Sequence, residues 1–169
     1  LEFRRVLFRS SNSKDIYMTF TKTYKGFFKP KYPQKYKGNA GNIIFRSSWE
    51  RQVMKWLDEN VNVLEWSSEE LAIPYLSPVD NRYHRYYPDF VAKLKKADDS
   101  ISTLIIEVKP AMQTKEPKPS KRKTQKYITE VMTWGVNQAK WKYAQEYCAD
   151  RGWEFKILTE DNIFGKKAK

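Results

Sequence analysis

The chain has 169 residues, 40% hydrophobic and 15% aromatic, and 32 Lys+Arg against 20 Asp+Glu give a net charge of +12. That length suits one domain, and so many large rings exclude disorder throughout, while the longest apolar run is three residues (Leu104-Ile105-Ile106), far short of the roughly 20 of a membrane helix or the about 7–15 of a secretory signal core. The basic balance points to a polyanion, most often nucleic acid, with solubilising charge as the alternative.

The chain opens on Leu1, and LEFRRVLFRS reads as a scar outside the native protein, so residues 1–17 are expected to be non-native or disordered. Residues 18–42 form a basic aromatic arm. Between Lys22 and Lys37 it carries six lysines and no acid, interleaved with Tyr24, Phe27, Phe28, Tyr32 and Tyr36. Pro30 and Pro33 keep it extended. Such an arm either follows a phosphate backbone or packs on the core. The globular domain is expected over 43–165, starting near Ile43.

Ser47 and Glu50 have capping-box spacing, and Trp49, Val53, Trp56 and Leu57 recur on one helical face to about Asn60. Val61 to Leu76 reads as a bent or paired strand region, broken near Ser67-Ser68. Residues 77–82 turn, a second strand runs from about Tyr83 to Leu94, and a third from Ile101 to Val108. Residues 113–126 form a basic loop with six basic residues and one acid, two prolines holding its first half out of a helix. Helical spacing resumes at Tyr127, with Gly135 a candidate interruption, Asn137 a candidate N-cap for a further stretch and Gly152 the stop. Residues 153–158 make the last strand. The order is αβββαβ, an α/β domain with a mixed central sheet flanked by helices and one crossover. Cys148, the single cysteine, excludes an internal disulfide and a Cys-rich zinc site and fits a reducing, intracellular setting.

Chemistry concentrates in two places. Pro88-Asp89-Phe90 falls inside the second strand, and Glu107-Val108-Lys109 closes the third. Alternation puts Glu107 and Lys109 on one strand face and Leu104, Ile106 and Val108 on the other. Two carboxylates on neighbouring strands are costly in a half-buried sheet unless neutralised, and magnesium takes one or two carboxylates together with water and phosphate oxygens. A lysine beside them can orient the attacking water and offset charge developing on a phosphate, so the constellation suits phosphodiester hydrolysis. Solvated charges or a salt bridge are the alternative.

Pro88-Asp89 and Glu107-Val108-Lys109 resemble the motif of the PD-(D/E)xK nucleases, a restriction-endonuclease-like superfamily. WERQVMKWLDEN, LEWSSEELAIPY, HRYYPDF, EVKP and NQAKW further resemble the T-even-type bacteriophage head completion nuclease family, from about Phe28 to Ile163. The resemblance implies that Asp89 and Glu107 bind Mg2+ (or Mn2+), that Lys109 assists the attacking water, that Glu50 supplies an upstream helix carboxylate, and that Gln138 or Lys140 adds a polar group from the later helix. Lys115, Lys118, Lys121, Arg122 and Lys123, with Gln138 and Lys140, are the expected DNA contacts.

Glu50 is equally explained as a cap partner of Ser47. His84, the one histidine, has strand parity opposite to Asp89 and suits a structural or phosphate-contacting role. Trp134 and Trp141 read as packing residues, Glu69 and Glu70 as a solvated turn, and Glu130 as a helix face. The expectation is a metal-dependent nuclease acting on double-stranded DNA with phage head, portal or neck proteins, without a membrane, in the virion or in the host cytoplasm during assembly. A non-catalytic head or neck protein that holds a DNA end, and a transposon-type end-cleaving endonuclease, are the alternatives.

Overall fold

The computed structural model describes residues 24–165; the expectation for 1–17 lies outside them. Strand β1 (Gly26–Phe28) pairs antiparallel with β2 (Ile43–Phe45). Helix α1 (Ser48–Glu59) follows, starting where the Ser47 hydroxyl accepts the Glu50 N–H at 3.1 Å. Its buried face carries Val53, Met54 and Leu57, as the periodicity predicts.

The central sheet runs β3 (Val63–Ser68), β6 (Phe90–Lys95), β7 (Ile101–Val108), β8 (Glu154–Leu158). The first three are antiparallel and β8 joins β7 in parallel, its crossover made by α2 (Gln125–Ala149). A short α3 (Glu160–Ile163) follows β8. Stripped of its additions, this is the αβββαβ order.

Both faces of β7 are covered, which explains its unbroken apolar run. Leu104 and Ile106 pack with α1 residues, Trp66 and Phe90 on one side. Ile105 packs on the other with Ala144 and Cys148 of α2. An antiparallel hairpin of β4 (Ile73–Leu76) and β5 (Tyr83–Tyr86) contributes Ile73, Tyr75 and Tyr86 to that second core.

Two local expectations are corrected. The stretch 83–94 is two strands in different sheets, parted at Tyr87-Pro88-Asp89. Pro88 offers no N–H to a ladder, so the chain leaves the hairpin there and enters the main sheet. Asp89 therefore stands at the mouth of β6 rather than inside a strand. By contrast, 61–76 breaks where expected, β3 ending at Ser68 and β4 starting at Ile73. Finally, α2 runs unbroken through Gly135, with Thr124 as its N-cap and Asn137 buried in mid-helix. One glycine costs about 1 kcal/mol, which packing along a 25-residue helix overrides.

From Gly26 onward, the segment read as an arm sits on this body. Tyr36 is buried edge-on to Trp66. Asp58, 1% exposed, accepts the main-chain N–H groups of Lys31 at 2.6 Å and Tyr32 at 3.2 Å, and Lys35 Nζ donates to the carbonyls of Asp58 (3.0 Å) and Asn60 (2.8 Å). Asp58→Ala removes the buried acceptor of two main-chain donors and should cost about 1–3 kcal/mol in urea unfolding. Asp58→Asn, which keeps an acceptor, should cost clearly less. Equal losses would show that the clamp's acceptor is not what matters.

Candidate active site

The end of β7 gathers the motif residues. Phe90 pairs with Ile106, so Asp89, one residue earlier, lies against the strand's last turn toward solvent. Its Oδ2 accepts the Val108 N–H at 2.6 Å. Glu107 is 4% exposed, and its two oxygens face different partners: Oε1 is 3.0 Å from Lys109 Nζ, and Oε2 accepts the Tyr86 hydroxyl at 2.7 Å. Lys109 is held from behind, its N–H donating to the Leu158 carbonyl of β8 at 3.0 Å.

The electrostatics follow from burying like charges together. Burial, then the charges of Glu107 and Glu50, push the Asp89 carboxyl up to about 8, although the Val108 N–H and Lys109 oppose this. Burial works against the Lys109 ammonium, but Glu107, Asp89 and Glu50 outweigh it and raise its pKa above the usual lysine value. Burial raises the Tyr86 phenol too, with Glu107 adding to it, so the hydroxyl stays a donor. Desolvation, reinforced by Lys109, lowers the pKa of Lys140, whose Nζ lies 5.7 Å from the ring centres of both Tyr75 and Tyr86.

Two carboxyl groups brought together with partial loss of water need a proton or a cation to offset their repulsion. Among the described residues no group of three or more His, Cys, Asp or Glu converges as a closed metal cage. Two hard oxygen donors at a solvent-facing strand end fit an ion that keeps most of its water, as magnesium does, and do not fit structural zinc.

Glu50 serves two neighbourhoods. Its Oε1 accepts the Ser47 hydroxyl at 2.9 Å and its Oε2 the Arg46 N–H at 2.7 Å. The return bond of the expected box thus goes one residue upstream of the cap. The same carboxylate acts on Asp89 and Lys109 through its charge. Gln138 is half-buried two residues before Lys140, a spacing that turns it to another side of α2. Lys115, Lys118, Lys121, Arg122 and Lys123 are exposed on the segment that leaves β7 shortly after Lys109.

His84 pairs with Asp80 at 2.8 Å on the hairpin, and Trp141 is core. Glu130 is exposed on α2. Glu69 lies in an open bend, as expected, and has partners there: it pairs with Arg46, and its N–H donates to the Asp89 carbonyl at 3.2 Å. Tyr86 and Arg46 are the site residues that sequence reasoning passed over. The signal for Tyr86 was its place three residues before Asp89, across the break at Pro88.

The family described as TnsA-like endonuclease N terminal matches residues 60–160, a span that takes in Asp89, Glu107, Lys109 and Lys140 and stops short of Glu50. The head completion nuclease of Enterobacteria phage T4 is 38% identical over 144 residues, covering 83% of this chain and 93% of that protein. The chain belongs to the head completion nuclease family. Its αβββαβ core is the restriction-endonuclease-like fold, with the β4–β5 hairpin set between the first and second core strands. Within the family fold, that hairpin is what brings Tyr86 to Glu107.

Proposed function

We propose that this protein is a divalent-metal-dependent deoxyribonuclease that acts on packaged double-stranded DNA ends during phage head completion, at the portal or neck, in the assembling virion or the host cytoplasm. The observation that carries the reading is the Asp89–Glu107–Lys109 cluster, in which buried Glu107 pairs with Lys109 and half-buried Asp89 is bound to the Val108 N–H between them. Similarity to the phage T4 head completion nuclease over 93% of that protein supports the phage setting. The TnsA-like description of the matched family is what favours the transposon-type alternative, over 60–160.

Asp89 and Glu107 would hold Mg2+ or Mn2+. When bound, the ion supplies Lewis-acid activation of the phosphodiester and offsets its charge. Tyr86 holds Glu107 in place by donating to Oε2, leaving Oε1 toward Lys109. The Lys109 ammonium orients the water and stabilises charge on the phosphoryl oxygens as the bond to the leaving oxygen breaks. Glu50 adds negative potential at the cation's edge, and Lys140 faces the same pocket from α2. Wild-type protein should convert supercoiled plasmid only when Mg2+ or Mn2+ is present; cleavage persisting in EDTA overturns the mechanism. A Glu107→Ala phage that yields fully infectious particles where a deletion does not would favour the head-structural alternative.

The exposed basic segment should bind duplex through counterion release. Replacing Lys121, Arg122 and Lys123 with Ala should flatten the salt dependence of log K by about 2–3 if all three touch phosphate. An unchanged slope makes the segment a protein-docking arm.

Glu50→Gln gives up one of two accepted bonds together with the charge. We expect thermal stability to fall by less than about 1 kcal/mol, and cleavage at limiting Mg2+ to fall more steeply than at saturation. Wild-type cleavage at limiting Mg2+ would leave Glu50 a cap alone.

A further inference from the structure

Arg46 lies in the turn from β2 into α1, its N–H bonded to Glu50 Oε2 at 2.7 Å and its guanidinium paired with the Glu69 carboxylate. Glu69 directly follows β3, and its N–H donates to the carbonyl of Asp89 at 3.2 Å. The pair thus joins the head of α1 to the end of β3, which lies beside Asp89 at the entry to β6. It also stands in the open: the Arg46 side chain is 53% exposed and that of Glu69 37%, against 5% for Glu107.

Glu69 has a left-handed backbone, φ 55°. The other described non-glycine residues of this kind are Asn81 and Asp99, types that tolerate it in turns. For a glutamate the conformation costs of order 1–3 kcal/mol. A surface ion pair returns only about 0–1 kcal/mol. Stability therefore does not account for the arrangement, and strain of this kind collects where a site must be shaped. Bonding to Glu69, with the further charges of Glu50 and Asp89, keeps the guanidinium firmly ionised despite partial desolvation.

We propose that Arg46 is a binding site for a DNA phosphate, and that the Glu69 carboxylate holds that place until DNA arrives. A guanidinium fork accepts a carboxylate or a phosphate in the same planar geometry, so one anion can exchange for the other without moving Arg46. The inference rests on the nuclease reading above and adds to it a substrate contact and the group that DNA must displace. Glu69 is a positioning residue here: it keeps Arg46 aimed at the mouth of the site and competes with the substrate for it.

The test is binding of a short duplex DNA in EDTA, followed by fluorescence anisotropy. Glu69→Gln should bind about three- to tenfold more tightly than wild type, a gain that comes from a released arginine–phosphate contact. Glu70→Gln, which removes the same charge one residue on, should change affinity by less than about twofold. Arg46→Ala should weaken binding about tenfold and lower the salt slope by about 1. Arg46→Lys, which keeps the charge and loses the fork, should fall between. The double variant Arg46→Ala/Glu69→Gln should match Arg46→Ala, because the glutamate acts through the arginine. Equal effects of Glu69→Gln and Glu70→Gln overturn the proposal, as does the same tightening with and without Arg46. If Arg46→Ala melts early by circular dichroism, the Arg46→Lys and Glu69→Gln pair decides. Plasmid cleavage in Mg2+ by the same wild-type sample separates the two readings. Cleavage without a specific Glu69 effect overturns the phosphate site alone; Arg46-dependent binding without cleavage overturns the nuclease and supports the site.

Discussion

Glu107→Ala should leave supercoiled plasmid intact where the wild type cuts it, and Lys109→Ala should cut about 10²–10³-fold more slowly in a single turnover, the usual cost of one transition-state charge contact. The two effects differ because the residues do different work. Glu107 Oε1 is 3.0 Å from Lys109 Nζ, so removing the glutamate takes away the carboxylate proposed to hold the cation and the partner that anchors the lysine together. Removing the lysine leaves both carboxylates and the Tyr86 bond in place. Duplex binding in EDTA should hold for both variants within a few-fold, since the exposed basic segment is untouched. Lys109→Ala cutting at the wild-type rate would remove the lysine from the chemistry.

Asp89→Asn should make the metal-free protein more stable at alkaline pH even as it abolishes cleavage. The Asp89 carboxyl is raised from its ordinary 3.8 to about 8 by burial and by its acidic neighbours. A raised folded-state value means that the folded protein holds the proton more tightly than the unfolded chain. The stabilisation is therefore complete below about pH 4 and is lost as pH rises through about 8. Asparagine still accepts the Val108 N–H and carries no charge to desolvate. In EDTA at pH 8–9 the variant should melt roughly 2–6 °C above wild type, with the gap closing toward pH 4. Added Mg2+ should raise the wild-type Tm and leave the variant's unchanged. A gap that does not depend on pH would mean that Asp89 ionises freely in the fold.

The sequence displayed the frame of this site and hid its walls. Strand β7 was legible because Leu104-Ile105-Ile106 is apolar without alternation and then turns abruptly to Glu107 and Lys109, which happens only where a buried strand meets solvent. Tyr86 was not legible. Reading 83–94 as one strand carried an unbroken parity across Pro88, whereas the chain changes sheets there, so hairpin residues could not be phased against Asp89. Asn137 and Gly135 misled for another reason, since each weakens a helix locally and only the packing of α2 on the second core outweighs them. The Asp58 clamp and the Arg46–Glu69 pair join residues more than 20 positions apart, and no local pattern of charges announces such a partnership.

The bond from Lys109 to the Leu158 carbonyl has a consequence for the order in which the protein comes into being. Asp89, Glu107 and Lys109 all leave the ribosome well ahead of β8 (Glu154–Leu158), because a parallel pair needs a long crossover and here helix α2 supplies it. Until that last strand docks, the end of β7 has a free edge, and Lys109 has nothing to fix its backbone against Glu107. Non-local parallel pairing is among the slowest events in folding. A chain that lacks β8 therefore carries Asp89, Glu107 and Lys109 without the backbone contact that sets the lysine against Glu107, and the proposed site is assembled only after that strand has been made and docked.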